Sequence, residues 1–139
     1  MELTMKRIAM VLAGLILAGT AYADPLTGVN RFVCAASQVQ ICLEGDTCYS
    51  ASPWELDVPE FVVIDLKKKS ISTTKASGDD RSTTFNNSVR SEGNIFLQGL
   101  EAGRAFSFVI DEATGYMSVA VARDGMVVSV FGACTDADI

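Results

Sequence analysis

Two β-rich runs, residues 116–122 and 126–131, flank Asp124-Gly125, and this pattern restricts the C-terminal part of the chain to a hairpin. Asp-Gly suits a two-residue loop, because a type I′ turn needs positive φ at both central residues. With that loop the register sets Val121 against Val128 and Val119 against Val130 on one face, and Ala120 against Ser129 and Ala122 against Val127 on the other. One face is uniformly large and apolar, as a sheet covering a core on one side requires.

Alternation continues upstream. Residues 104–110 place Phe106, Phe108 and Ile110 on one side, and residues 111–115 turn this strand into the hairpin. A strand at residues 94–100 precedes it across a turn at residues 99–103. Residues 61–66 and 70–75 form a further pair around the Lys67-Lys68-Lys69 turn, with Val62, Ile64 and Leu66 inward because Asp65 is not. Residues 76–87, rich in Ser, Thr, Gly, Asp and Asn, read as a long connection or an edge. Residues 50–59 read as an irregular crossing segment whose Trp54 plugs one end of the core. After the leader described next, no apolar pattern holds helical spacing for three turns. The expected fold is all-β, an antiparallel meander forming a small barrel or a strongly twisted sheet, with the barrel as first choice.

The N-terminus has the parts of a secretory leader: Lys6 and Arg7, an apolar run over residues 8–17, and Ala21-Tyr22-Ala23 as cleavage site. Residues 1–23 are therefore expected to be a signal peptide, and residues 24–139 a single β domain that is periplasmic, soluble and without a membrane span. Removing Glu2, Lys6 and Arg7 with the leader moves the formal charge from −6 to −7. That balance argues against nucleic acid or an anionic membrane as partner.

Four cysteines in an exported chain predict two disulfides, because an oxidising compartment lets them persist. Zinc fits poorly, since the chain has no histidine and no C-x-x-C pair. If Glu44-Gly45-Asp46 is a three-residue hairpin loop, Leu43 opposes Thr47 and Cys42 opposes Cys48, leaving Cys34 for Cys134. Cys134 shares parity with Val128 and Val130, so it faces the core unless Gly132 marks a bulge. The other pairing, Cys34 with Cys42 and Cys48 with Cys134, stays open, because spacing alone does not fix connectivity.

Without histidine, serine-histidine and cysteine-histidine catalysis are excluded, and no nucleophile elbow, P-loop, dinucleotide fingerprint or EF-hand loop is present. Neither an enzyme nor a cofactor is expected. Asp79-Asp80 and Asp111-Glu112 are acidic pairs in predicted turns, where solvation and turn chemistry account for them. Arg81, Arg90 and Arg104 either face an anionic ligand or pair with nearby acids, the second being favoured. Asn86-Asn87-Ser88 meets the glycosylation pattern. Phe96, Phe106, Phe108, Tyr116 and Phe131 either line a ligand cavity or fill a solid core, which is commoner in so short a chain.

Residues 52–56, 93–99, 103–107 and 131–134 together resemble a family of small exported proteobacterial proteins with no established activity, over most of residues 24–139. In outline the chain is also similar to the periplasmic inhibitors of c-type lysozyme, small disulfide-tied β barrels that present a Ser-Gly loop to the enzyme's cleft. That similarity implies an interaction loop at Ser77, Gly78, Asp79, Asp80 and Arg81, although no aromatic follows shortly after Gly78 as it does there. The functions expected are a noncatalytic binding or interaction module of the periplasm, an inhibitor of a cell-wall-active enzyme, or a carrier of a small apolar ligand. The partner would be a protein or a small ligand, and the chain a monomer or dimer.

Overall fold

The C-terminal hairpin forms in the expected register, with Val121 opposite Val128 and Val119 opposite Val130, and eight further strands extend it in both directions. The structure, a computed structural model, describes residues 26–56 and 58–137. The expected leader, residues 1–23, lies outside the described residues. The strands are β1 (Arg31–Leu43), β2 (Tyr49–Ala51), β3 (Phe61–Asp65), β4 (Ser70–Thr73) and β5 (Ser82–Thr84), then β6 (Asn87–Ser91), β7 (Asn94–Glu101), β8 (Arg104–Asp111), β9 (Tyr116–Arg123) and β10 (Met126–Asp136). All belong to one antiparallel sheet in the order β5-β4-β3-β1-β10-β9-β8-β7-β6, with β2 pairing β1 beyond the end of β3.

The first and last long strands are thus neighbours, and the rest follow the meander. The two edges, β5 and β6, are separated in sequence by only Phe85 and Asn86. One segment, bent at the buried Phe85, leaves β4 and joins β7: Phe85 N–H donates to Lys69 O at 3.1 Å and Asn86 N–H donates to Gln98 O at 2.8 Å. The sheet therefore curls into a half-barrel whose edges run into each other. The stretch expected to be a connection or an edge contains β5 and a 3₁₀ turn at Lys75–Ser77.

Both disulfides form in the register-based pairing, Cys34–Cys134 and Cys42–Cys48. Val39, Gln40 and Ile41 pair with Ala51, Ser50 and Tyr49, the register that a three-residue loop at residues 44–46 dictates. Cys34 and Cys134 are direct partners across β1 and β10, both buried. The bulge falls on β1, between Ala36 and Gln38, and not at Gly132. One extra residue, Ser37, inverts the side-chain parity of β1, so Cys34 and Ala36 before it and Val39 and Ile41 after it share the core side. Its hydroxyl donates to Phe131 O at 3.0 Å.

Two turns differ from expectation. Among the described residues, positive φ at both central positions occurs at Glu92-Gly93 (51° and 78°) and Ala102-Gly103 (47° and 76°), the type I′ geometry. At Asp124-Gly125 only Gly125 is positive, at 75°, and its carbonyl accepts from Glu44 N–H at 2.9 Å, joining this turn to the β1–β2 hairpin. The turn between β7 and β8 is accordingly two residues, and Gly99 lies within the strand. Trp54 does not plug the core: it is 78% exposed, while Leu56 packs inward. They sit in a 3₁₀ turn, Pro53–Leu56, where about three residues per turn place positions two apart on different sides. A segment before β1 takes the plugging role, with Leu26 wholly buried.

Candidate functional site

The registers separate the half-barrel into two ends. The turns at Glu92-Gly93, residues 66–69 and residues 112–115 gather at one, and those at Ala102-Gly103, Asp124-Gly125 and residues 44–46 at the other.

The first end is filled. Leu26, Phe32, Ile64, Ile95 and Ile110 are each 0% exposed. Backbone bonds dock the plug, Leu26 N–H to Glu112 O at 2.7 Å and Leu66 N–H to Asn30 O at 2.8 Å. Arg90 clamps it: its guanidinium donates to Leu26 O at 3.2 Å, to Val29 O, and to Glu112 Oε1 at 2.9 Å. Glu112 also accepts from the Thr27 hydroxyl. Beside it, the Asp111 carboxylate folds its own turn, accepting from the N–H groups of Thr114 and Ala113 and from the Thr114 hydroxyl. The Thr114 N–H, then its hydroxyl, hold the Asp111 carboxyl below its ordinary range. The pair Asp111-Glu112 is structural on both counts.

Toward the second end lies a cavity of about 200 Å³. Cys34, Met117 and Val130 contribute its inner lining; Ile71, Phe106, Phe108, Val119 and Val128 line its walls. Phe106 and Phe108 meet edge to face, ring centres 5.9 Å apart. Phe106 is placed by Gly99, its partner across β7 and β8, where a Cβ would lie 2.5 Å from the ring. The polar lining comes from Glu60, Arg81, Ser82, Thr83, Glu101 and Arg104, residues mostly part-exposed or exposed. Such a chamber is smaller than the roughly 300–1,000 Å³ of clefts for drug-sized ligands, yet larger than the ~150 Å³ apolar cavity known to take benzene. It suits a small apolar molecule.

Of the five aromatics named from sequence, Phe106 and Phe108 reach this cavity. Phe96, Tyr116 and Phe131 occupy the opposite parity, beside Ile95, Met117 and Val130, and Tyr116 and Phe131 are exposed. The three arginines part company. Arg90 is the clamp, Arg81 lies 4.0 Å from Asp79 at the cavity's edge, and Arg104 lines the cavity with its Nε–H buried and without a hydrogen-bond partner. A buried donor on a charged group left unmade costs about 1–3 kcal/mol or more.

The loop Ser77, Gly78, Asp79, Asp80, Arg81 is exposed up to Arg81. It is stitched to itself: Ser77 Oγ donates to Thr74 O at 2.7 Å and accepts from Asp79 N–H at 3.2 Å, while Thr73 Oγ1 donates to Asp79 O and accepts from Arg81 N–H. Gly78 closes the 3₁₀ turn at φ 72°. Asn87 and Ser88 are exposed at the start of β6. Among the described residues no helix is long and apolar enough to cross a membrane, and no group of three or more acidic or sulfur-bearing residues is gathered as a metal site.

Sequence reasoning offered a cavity only as the alternative to a solid core, and missed the Leu26 plug and the Arg90 clamp. Each joins segments distant in the chain, so no local spacing announces it. Comparison with protein-family models, with curated proteins and with solved structures finds no match.

Proposed function

We propose that this chain is a noncatalytic binding protein of the periplasm that carries a small apolar ligand in its half-barrel. The observation that supports this reading is the asymmetry of the interior: one end is filled to 0% exposure, while the other keeps an apolar chamber of about 200 Å³ beside an unpartnered arginine donor. Two disulfides are consistent with an oxidising, extracytoplasmic address. The inhibitor reading gains no support from the loop at residues 77–81, where the Ser77 hydroxyl is engaged within the loop.

Native mass spectrometry of the chain exported to a bacterial periplasm tests the reading. The expected result is a mass starting at Asp24, two disulfides intact, and a noncovalent small-molecule adduct that is lost in Val119→Trp, a variant that fills the chamber. Wild-type protein with no adduct, and no uptake of added octanol or benzene at millimolar concentration, would contradict it.

A further inference from the structure

Resting on the reading of the chamber as a binding site, we infer that its ligand is a monocarboxylate with a short apolar body, its carboxylate held by Arg104. Arg104 opens β8 on the core side of the strand, in the column that continues through Phe106, Phe108 and Ile110. Its stem therefore lies at the head of the apolar wall, and its guanidinium ends where that wall meets the polar rim. Nε is buried without a partner, and no carboxylate of the described residues pairs with the group. Arg81, the other cation at the rim, is already close to Asp79. Arg104 is thus the donor whose hydrogen-bonding capacity the fold leaves over.

A guanidinium presents parallel N–H groups in a planar fork that matches a carboxylate or a phosphate. The rim decides between the two. Glu60 and Glu101 line the same chamber, and Glu101 is the direct cross-strand partner of Arg104. Both anions meet those two carboxylates, but the repulsion scales with the ligand's charge, so a dianionic phosphate is held off about twice as strongly as a monocarboxylate. A cationic head would meet Arg104 itself. The chamber is lined by Phe, Val, Ile and Met, so the remainder of the ligand is hydrocarbon, and its volume restricts that hydrocarbon to a short chain or a single ring.

Calorimetric titration of the mature, disulfide-intact chain with octanoate, octanol, octyl phosphate and octylammonium separates these terms. The expected order has octanoate tightest, roughly ten- to hundredfold over octanol, the range a hydrogen bond to a charged group commands. In Arg104→Met that preference disappears, octanoate and octanol then binding alike, and in Arg104→Lys, which keeps the charge but loses the fork, it falls between. Octanoate no tighter than octanol, or a preference that survives Arg104→Met, would overturn the assignment to Arg104. Tightest binding by octyl phosphate would overturn the monocarboxylate, and tightest binding by octylammonium would transfer the head-group site to the glutamates. If neither octanol nor octanoate binds wild-type protein, the carrier reading itself fails, independently of the head group.

Discussion

The two ends of the half-barrel are built from the same alternating strands and come out differently. At the filled end, Phe32, Ile64, Ile95 and Ile110 close on Leu26, a residue from outside the sheet that Arg90 and Glu112 hold in place. At the other, the residue suited by size to play Leu26's part is Trp54, and its 3₁₀ turn directs it to solvent. A curled sheet does not fill itself; whether an end is core or chamber depends on what the flanking segment inserts. The filled end is closed by its plug, and the open end leaves room for a ligand.

This contrast is open to attack at several points. The Cys34–Cys134 bridge lies between the two ends and closes 100 residues of chain. Replacing both cysteines by alanine is expected to lower stability by roughly 4–5 kcal/mol in the chain-entropy account, with native strain reducing the figure. Urea denaturation checks it, and a loss below about 1 kcal/mol would mean that the pairing of β1 with β10 stands without its staple. Next in size, Ile64→Ala at the filled end should cost about 2–5 kcal/mol, while Val121→Ala, which only enlarges an existing chamber, should cost about 1 kcal/mol. Equal losses would show the ends to be packed alike.

The plug offers a smaller effect with a local readout. Arg90→Met removes hydrogen bonds to Leu26 O and Val29 O and the ion pair with the mostly buried Glu112, whose side chain is 13% exposed. A loss of about 1–2 kcal/mol is expected, since part of the pair is solvent-screened. Faster amide exchange at Leu26 and Val29 should accompany it, with none at the strands lining the chamber. Smallest is Asp111→Asn. The Asp111 carboxyl titrates below its ordinary value in the folded chain, so its contribution is present above the unfolded pKa and is lost as pH falls through the folded one. The variant should flatten the acid limb of the stability curve by giving up a small stabilisation at neutral pH and changing little at low pH, where the wild-type carboxyl is protonated anyway; an unaltered acid limb would remove Asp111 from the account.

What the sequence made legible was local. The registers of β9–β10 and β1–β2 follow from loop length, and from them came both bridges and the inward set Val119, Val121, Val128 and Val130. The same parity puts Tyr116 and Phe131 outside, so their candidacy as cavity lining was already disfavoured by the register. Asp-Gly announced the hairpin but not its turn geometry, because the Gly125 carbonyl is engaged by Glu44 from another hairpin. Trp54 has the apolar area of a plug, but its 3₁₀ turn directs it to solvent. Of the site, the sequence supplied Phe106, Phe108, Arg81 and Arg104 as candidates, without the means to bring them together. Their meeting depends on the curl of the sheet, which residues 82–91 complete by crossing from one edge to the other.

The most direct test of the chamber is methyl NMR on the mature chain with labelled methionine and leucine, titrated with octanol. Met117 and Met126 both line the cavity, one on its inner side and one near the Asp124-Gly125 turn. Saturable shifts of both methyl resonances, with the Leu26 methyl groups at the filled end unmoved, are the predicted result. Unchanged Met117 and Met126 signals at saturating octanol, or shifts spread equally over both ends, would contradict a ligand chamber at the open end.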